Sequence, residues 1–121
     1  MATILNYNKL CTDVQNVDPK IRFAGVINPR GRLVAGGMKE GIEPLENPKD
    51  DEMLFMELAL RVRMRQEFDK QLGKVKFSMS QRENALAMSF PIGVEDVLYV
   101  YAEPDANYGV IPSKILKIIK S

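Results

Sequence analysis

Few side chains in this sequence could carry chemistry, and the rarest types limit it most. There is one cysteine, Cys11, and no histidine. Neither an internal disulfide nor a metal site with nitrogen and sulfur ligands can be assembled within one chain. The side chain most often used for proton transfer near neutral pH is missing. Cys11 falls on an apolar helical stripe, which marks a small core side chain rather than a nucleophile. The carboxylates Glu40, Glu43, Glu46, Asp50, Asp51 and Glu52 lack the alternate-residue ligands and closing glutamate of a calcium loop. They read as a solvated loop running into the positive end of a helix. Arg61, Arg63 and Arg65 bring a phosphate patch to mind, but alternate positions on a helix do not converge on one ligand, so a flanking role beside an interface is expected. Gly36-Gly37 and Tyr108-Gly109 fit turn and bulge geometry as well as they fit the lining of a pocket. No glycine-rich phosphate loop or nucleophile elbow is present. These residues predict no catalytic site, no cofactor and no metal.

The elements that must position these residues follow from composition and periodicity. A chain of 121 residues, 45% apolar and 27% charged, has the balance of one globular domain, spanning residues 1–121. Its net charge of +1 supplies no overall field for nucleic acid or an anionic membrane. No apolar run approaches the roughly 20 residues of a spanning helix. The start Met1-Ala2-Thr3-Ile4-Leu5-Asn6 lacks the basic and apolar regions of a signal peptide, so a cytoplasmic protein is expected.

Tyr7, Leu10, Cys11, Val14 and Val17 recur at helical spacing over residues 6–17. Asp18-Pro19 stops that helix. Arg22–Ile27 is apolar or small on both faces and should be a central strand. Asn28-Pro29-Arg30-Gly31 is turn chemistry, and Arg32–Met38 is the returning strand. After a loop over 39–49, a helix is expected over 50–72, with Gly73 as its breaker. Strict alternation predicts an edge strand over Lys74–Ser80. Ala85–Phe90 and a second central strand, Val97–Ala102, follow. A last helix starts at Pro112 or Ser113 and turns Ile115, Leu116, Ile118 and Ile119 inward. The expected fold is α+β: a single five-stranded antiparallel sheet of order 2-1-5-4-3, flanked by three helices in the succession αββαβββα.

That succession, with Phe23-Ala24-Gly25-Val26-Ile27-Asn28-Pro29-Arg30-Gly31-Arg32-Leu33-Val34-Ala35 as its opening hairpin, resembles the roadblock-type dynein light chain family and its prokaryotic relatives. The resemblance covers nearly the whole chain, although profilin-like and PAS-like domains use similar hairpins. It implies a non-catalytic platform that dimerises through its long helix and edge strand and often works beside small GTPases. The long loops before the second helix and after the last strand depart from the compact family pattern.

The long helix is the most informative element. Its apolar residues form two arcs: Leu54, Phe55, Leu58, Ala59 and Val62, and opposite them Met53, Met56, Leu60, Met64 and Phe68. One arc can cover the sheet, and the second then needs another surface. Methionine suits adaptable partner surfaces. Met53, Met56, Leu60, Met64 and Phe68, with Lys76 and Ser78 of the edge strand, are therefore the expected homodimer interface. A scaffold or regulatory module is the first functional reading, a PAS-like small-molecule sensor the second and an enzyme the third.

Overall fold

In the computed structural model, which describes residues 6–43 and 48–120, one five-stranded antiparallel sheet carries helices on both faces. Helix α1 (Tyr7–Gln15) opens where the Asn6 side-chain oxygen accepts the Lys9 N–H at 3.1 Å, satisfying a donor that the first turn leaves free. It closes two residues before the apolar stripe ends. Strands β1 (Ile21–Ile27) and β2 (Leu33–Met38) follow. The long helix α2 (Pro48–Arg65) begins on a proline, which suits a first helical position because an N–H there would have no intrahelical partner. It continues through a 3-10 turn (Gln66–Phe68) into helix α3 (Asp69–Leu72), and Gly73 ends the rod. Strands β3 (Ser78–Gln81), β4 (Leu86–Ile92) and β5 (Asp96–Ala102) complete the sheet, and helix α4 is Ile111–Lys120. The order is β2-β1-β5-β4-β3, the order expected from the sequence.

Alternate side chains of a strand point to opposite faces, so the central strands feed two cores. On one face Leu10, Cys11 and Val14 of α1 and Ile111 and Ile115 of α4 pack on Ala24, Val26, Leu86, Met88, Phe90, Leu98 and Val100. On the other, Phe55, Leu58 and Val62 of α2 pack on Phe23, Ile27, Ala87, Val97, Tyr99 and Tyr101. Each fully buried leucine, isoleucine, phenylalanine or methionine contributes about 1.5–3 kcal/mol. The register of β1 on β5 shifts between Ile21 and Phe23, which turns Arg22 out of the ladder. Its Nη1 meets Glu103 Oε1 at 2.6 Å and its Nη2 donates to the Glu43 carbonyl at 2.7 Å.

The opening turn is closed by the Gly31 N–H donating to the Asn28 carbonyl at 2.9 Å, and the Asn28 side-chain oxygen accepts the N–H groups of Arg30 and Arg32. The bulge expected at Gly36-Gly37 lies earlier, where the register shifts between Val26 and Ile27 and leaves Val34 unpaired. Gly36 serves the close approach: a Cβ there would collide with the Ala24 carbonyl oxygen and crowd Cys11 Sγ.

The edge strand is a correction to the sequence reading. The ladder begins at Ser78, not Lys74, and pairs Ser78 with Ser89. Carried two residues further, that register sets Lys76 opposite Pro91, which has no N–H to donate. Residues 74–77 instead approach as irregular backbone, with Phe77 stacked on Phe90 at 5.9 Å between ring centres. Glu46 and the start Met1–Leu5 lie outside the described residues. No helix among the described residues is long and apolar enough to cross a membrane.

Candidate functional site

The two arcs of the long helix separate as their spacing requires. Phe55, Leu58, Ala59 and Val62 are buried against the sheet, with the Phe55 ring 6.0 Å from Phe23 and 6.3 Å from Tyr99. The second arc faces away. Met53, Met56, Leu60, Met64 and Phe68 are all exposed, from 47% at Met56 to 73% at Met53. Neither a loop nor a terminal helix among the described residues covers them. Leu72, 83% exposed, continues the same series and is absent from the expected interface. Its signal was legible, because Leu60, Met64, Phe68 and Leu72 run at i, i+4 along one face. Exposed apolar patches of this kind are the surfaces on which proteins commonly pack against other molecules.

The hairpin turn fixes the helix against the sheet. A Cβ on Gly31 would lie 2.8 Å from the Met56 Cα, so backbone packs on backbone at that point. The Glu57 carboxylate holds Arg61 Nη2 at 2.9 Å along the flank nearer β3. Of the two edge-strand residues expected at the interface, Ser78 opens β3 and turns its side chain toward α2. Lys76 is exposed in the irregular approach, so the structure brings it near the strand without placing it in the ladder.

The remaining candidates are assigned mainly structural places. Burial pushes the Cys11 thiol up to about 11, which leaves it protonated at neutral pH and unsuited to nucleophilic attack. Among the described residues, no three carboxylate or thiol groups gather closely enough to hold a metal ion. The Gly109 N–H donates to Asn107 Oδ1 at 3.1 Å, a turn contact. Arg63 lines the flank of α2 near Pro29 and Glu95, whereas Arg61 and Arg65 line the opposite flank. A groove of about 630 Å³ opens between the first turns of α2, the β3–β4 turn and the sheet, with Leu54, Tyr99, Tyr101 and Arg82 among its walls.

This helix-sheet-helix arrangement is the roadblock-like fold. The Roadblock/LC7 domain from Streptomyces avermitilis superposes with a TM-score of 0.71 at 13% identity, covering 96% of this chain and 93% of its own. MglB from Myxococcus xanthus gives 0.71 at 16% identity, covering 94% and 89%. A structure described as MglB with a tetrameric arrangement gives 0.67 at 16% identity, covering 93% and 86%. No curated protein matches the chain. By sequence it matches a family of unknown function (DUF6659) over residues 1–120, and it belongs to that family.

Proposed function

We propose that the chain is a non-catalytic, homodimeric interaction module of the cytoplasm, acting as one unit over residues 1–121. One observation carries this reading: the outer face of α2 presents a row of exposed methionine, leucine and phenylalanine side chains beside an open sheet edge. A second copy of the chain fits both features. The helical rod is acidic from Asp50 to Glu57 and mainly basic from Arg61 to Lys70, with Lys74 just beyond its end. Packed antiparallel about a twofold axis, each acidic half faces the partner's basic half, and Met56, Leu60 and Met64 meet near the axis. β3 can pair with its own copy and hide the backbone groups of the edge. Such an interface buries about 800 Å² per chain, the standard size. The tetrameric arrangement described for MglB is consistent with self-association in this fold. A small GTPase or another signalling protein is the further partner class that the roadblock resemblance implies.

Leu60→Glu tests the proposal by placing a charge at the centre of the patch, where apolar partners cannot solvate it. Because Leu60 is exposed within one chain, the variant should fold with an unchanged circular dichroism spectrum and run as a monomer in size-exclusion chromatography with light scattering. Glu43→Gln should leave the assembly unchanged. A Leu60→Glu variant that assembles as the wild type does would remove this face from the interface. The groove beside Tyr99 and Tyr101 favours a second reading, a small-molecule sensor, since its volume falls within the roughly 300–1,000 Å³ of ligand sites.

A further inference from the structure

Between α2 and β3 lies a narrow cleft of about 40 Å³ whose walls carry an unusual set of donors. Arg61 and Arg65 reach it from successive turns of the helix, Arg82 from the β3–β4 turn, and Ser78, Ser80 and Ser89 from the sheet. The register explains the serines. Ser78 stands directly opposite Ser89, and Ser80 opposite Ala87, whose side chain belongs to the core beneath α2. All three hydroxyls therefore point to the helix side of the sheet. Arg61 and Arg65 are four residues apart and share a flank, so the pair converges where the full triplet with Arg63 does not.

The charges in the cleft are not balanced from within. Glu57 also lines it and holds Arg61 at 2.9 Å, but among the described residues neither Arg65 nor Arg82 forms an ion pair. Arg65 is half-buried, and its one hydrogen bond there is a long 3.5 Å contact from Nη1 to Ser89 Oγ. Burial, then the neighbouring charge of Arg61, holds its guanidinium below its usual range. A partly desolvated cation beside a second cation is costly unless an anion joins them. The space is that of about three waters at roughly 10–15 Å³ each, the scale of one small oxyanion. Guanidinium forks and hydroxyl donors together exceed what the two oxygens of a carboxylate can accept, and they suit the oxygens of a phosphate.

We propose that this cleft binds a phosphate-type oxyanion, the chemistry shared by free phosphate and a phosphorylated side chain, with Arg65 and Arg82 as its principal ligands. All the residues come from one chain, so the proposal does not depend on dimerisation. The test is titration of the full chain with inorganic phosphate, O-phosphoserine and acetate at constant ionic strength, following the arginine side-chain N–H resonances by NMR. Saturable shifts at Arg65 and Arg82 with phosphate and weaker or no shifts with acetate are expected. Losing a hydrogen bond to a charged group costs about 1.5–3 kcal/mol, so Arg65→Gln and Arg82→Gln should each weaken binding about tenfold or more. Arg63→Gln, on the opposite flank, should not. Similar affinity for the two phosphate probes assigns the site to the free anion, and clearly tighter binding of O-phosphoserine assigns it to a phosphorylated chain. Arg82 sits on an exposed turn, which keeps that variant foldable and the test decisive. Absence of saturation with either phosphate probe, equal binding of acetate, or an Arg82→Gln variant that binds as the wild type does would overturn the proposal.

Discussion

Gly31 must satisfy two demands at once, and only glycine meets both. Its φ of +77° lies in the left-handed region, and the place where a Cβ would go is filled by the Met56 backbone 2.8 Å away. The sequence shows the first demand, because Asn28-Pro29-Arg30-Gly31 is a turn signature. It cannot show the second, because nothing in the turn records which helix will dock on it. Gly31→Val should therefore lower stability by about 1–3 kcal/mol from backbone strain alone, with further loss as α2 is pushed outward. Gly31→Asn separates the two causes. Asparagine tolerates left-handed backbone but still carries a Cβ, so urea unfolding should show partial recovery relative to valine. Full recovery to wild-type stability would mean that the contact with Met56 does not matter.

At the scale of elements, the helices were the most legible part of the chain and the edge strand the least. The stripe in α1 and the two arcs of α2 depend only on spacing along one segment, so Leu10, Cys11, Val14, Phe55, Leu58 and Val62 can be assigned to cores from sequence. The start of β3 depends on Pro91, which belongs to a different strand, and the alternation over Lys74–Ser80 carries no trace of it. The cleft arginines were partly legible: Arg61 and Arg65 appear as a charged run, but Arg82 and the three serines join them only through the register of β3 on β4. The tie between α1 and the start of β5 was invisible for the same reason. Tyr7 donates from its hydroxyl to Asp96 Oδ2 at 2.6 Å across the fold. Burial first, and then that bond to a carboxylate, pushes the Tyr7 phenol up from its usual 10.0 to about 12. The fold favours the protonated phenol, so this contribution is complete below about pH 10 and is lost as the pH rises toward 12. Tyr7→Phe should lower stability at pH 8 and flatten its decline between pH 10 and pH 12, measured by urea midpoints across that window. An equal decline in both proteins would remove Tyr7 as its cause.

At the scale of the whole molecule, a sheet covered on both faces leaves its edges and the outer side of α2 as the places where more surface can be buried. β1, β4 and β5 have given both faces to the two cores. The outer face of α2, with Leu72 extending it, remains open to water. Fold likeness at 13–16% identity fixes the architecture and leaves assembly to this chain's own residues. The exposed row on α2, the charge gradient along it and the adjacent edge strand are the features on which the proposed homodimer rests. Sedimentation equilibrium of the wild-type protein from low to high micromolar concentration tests that most directly. A mass that rises to twice that of the chain with a single dissociation constant is the predicted result; a protein that remains monomeric throughout would contradict it.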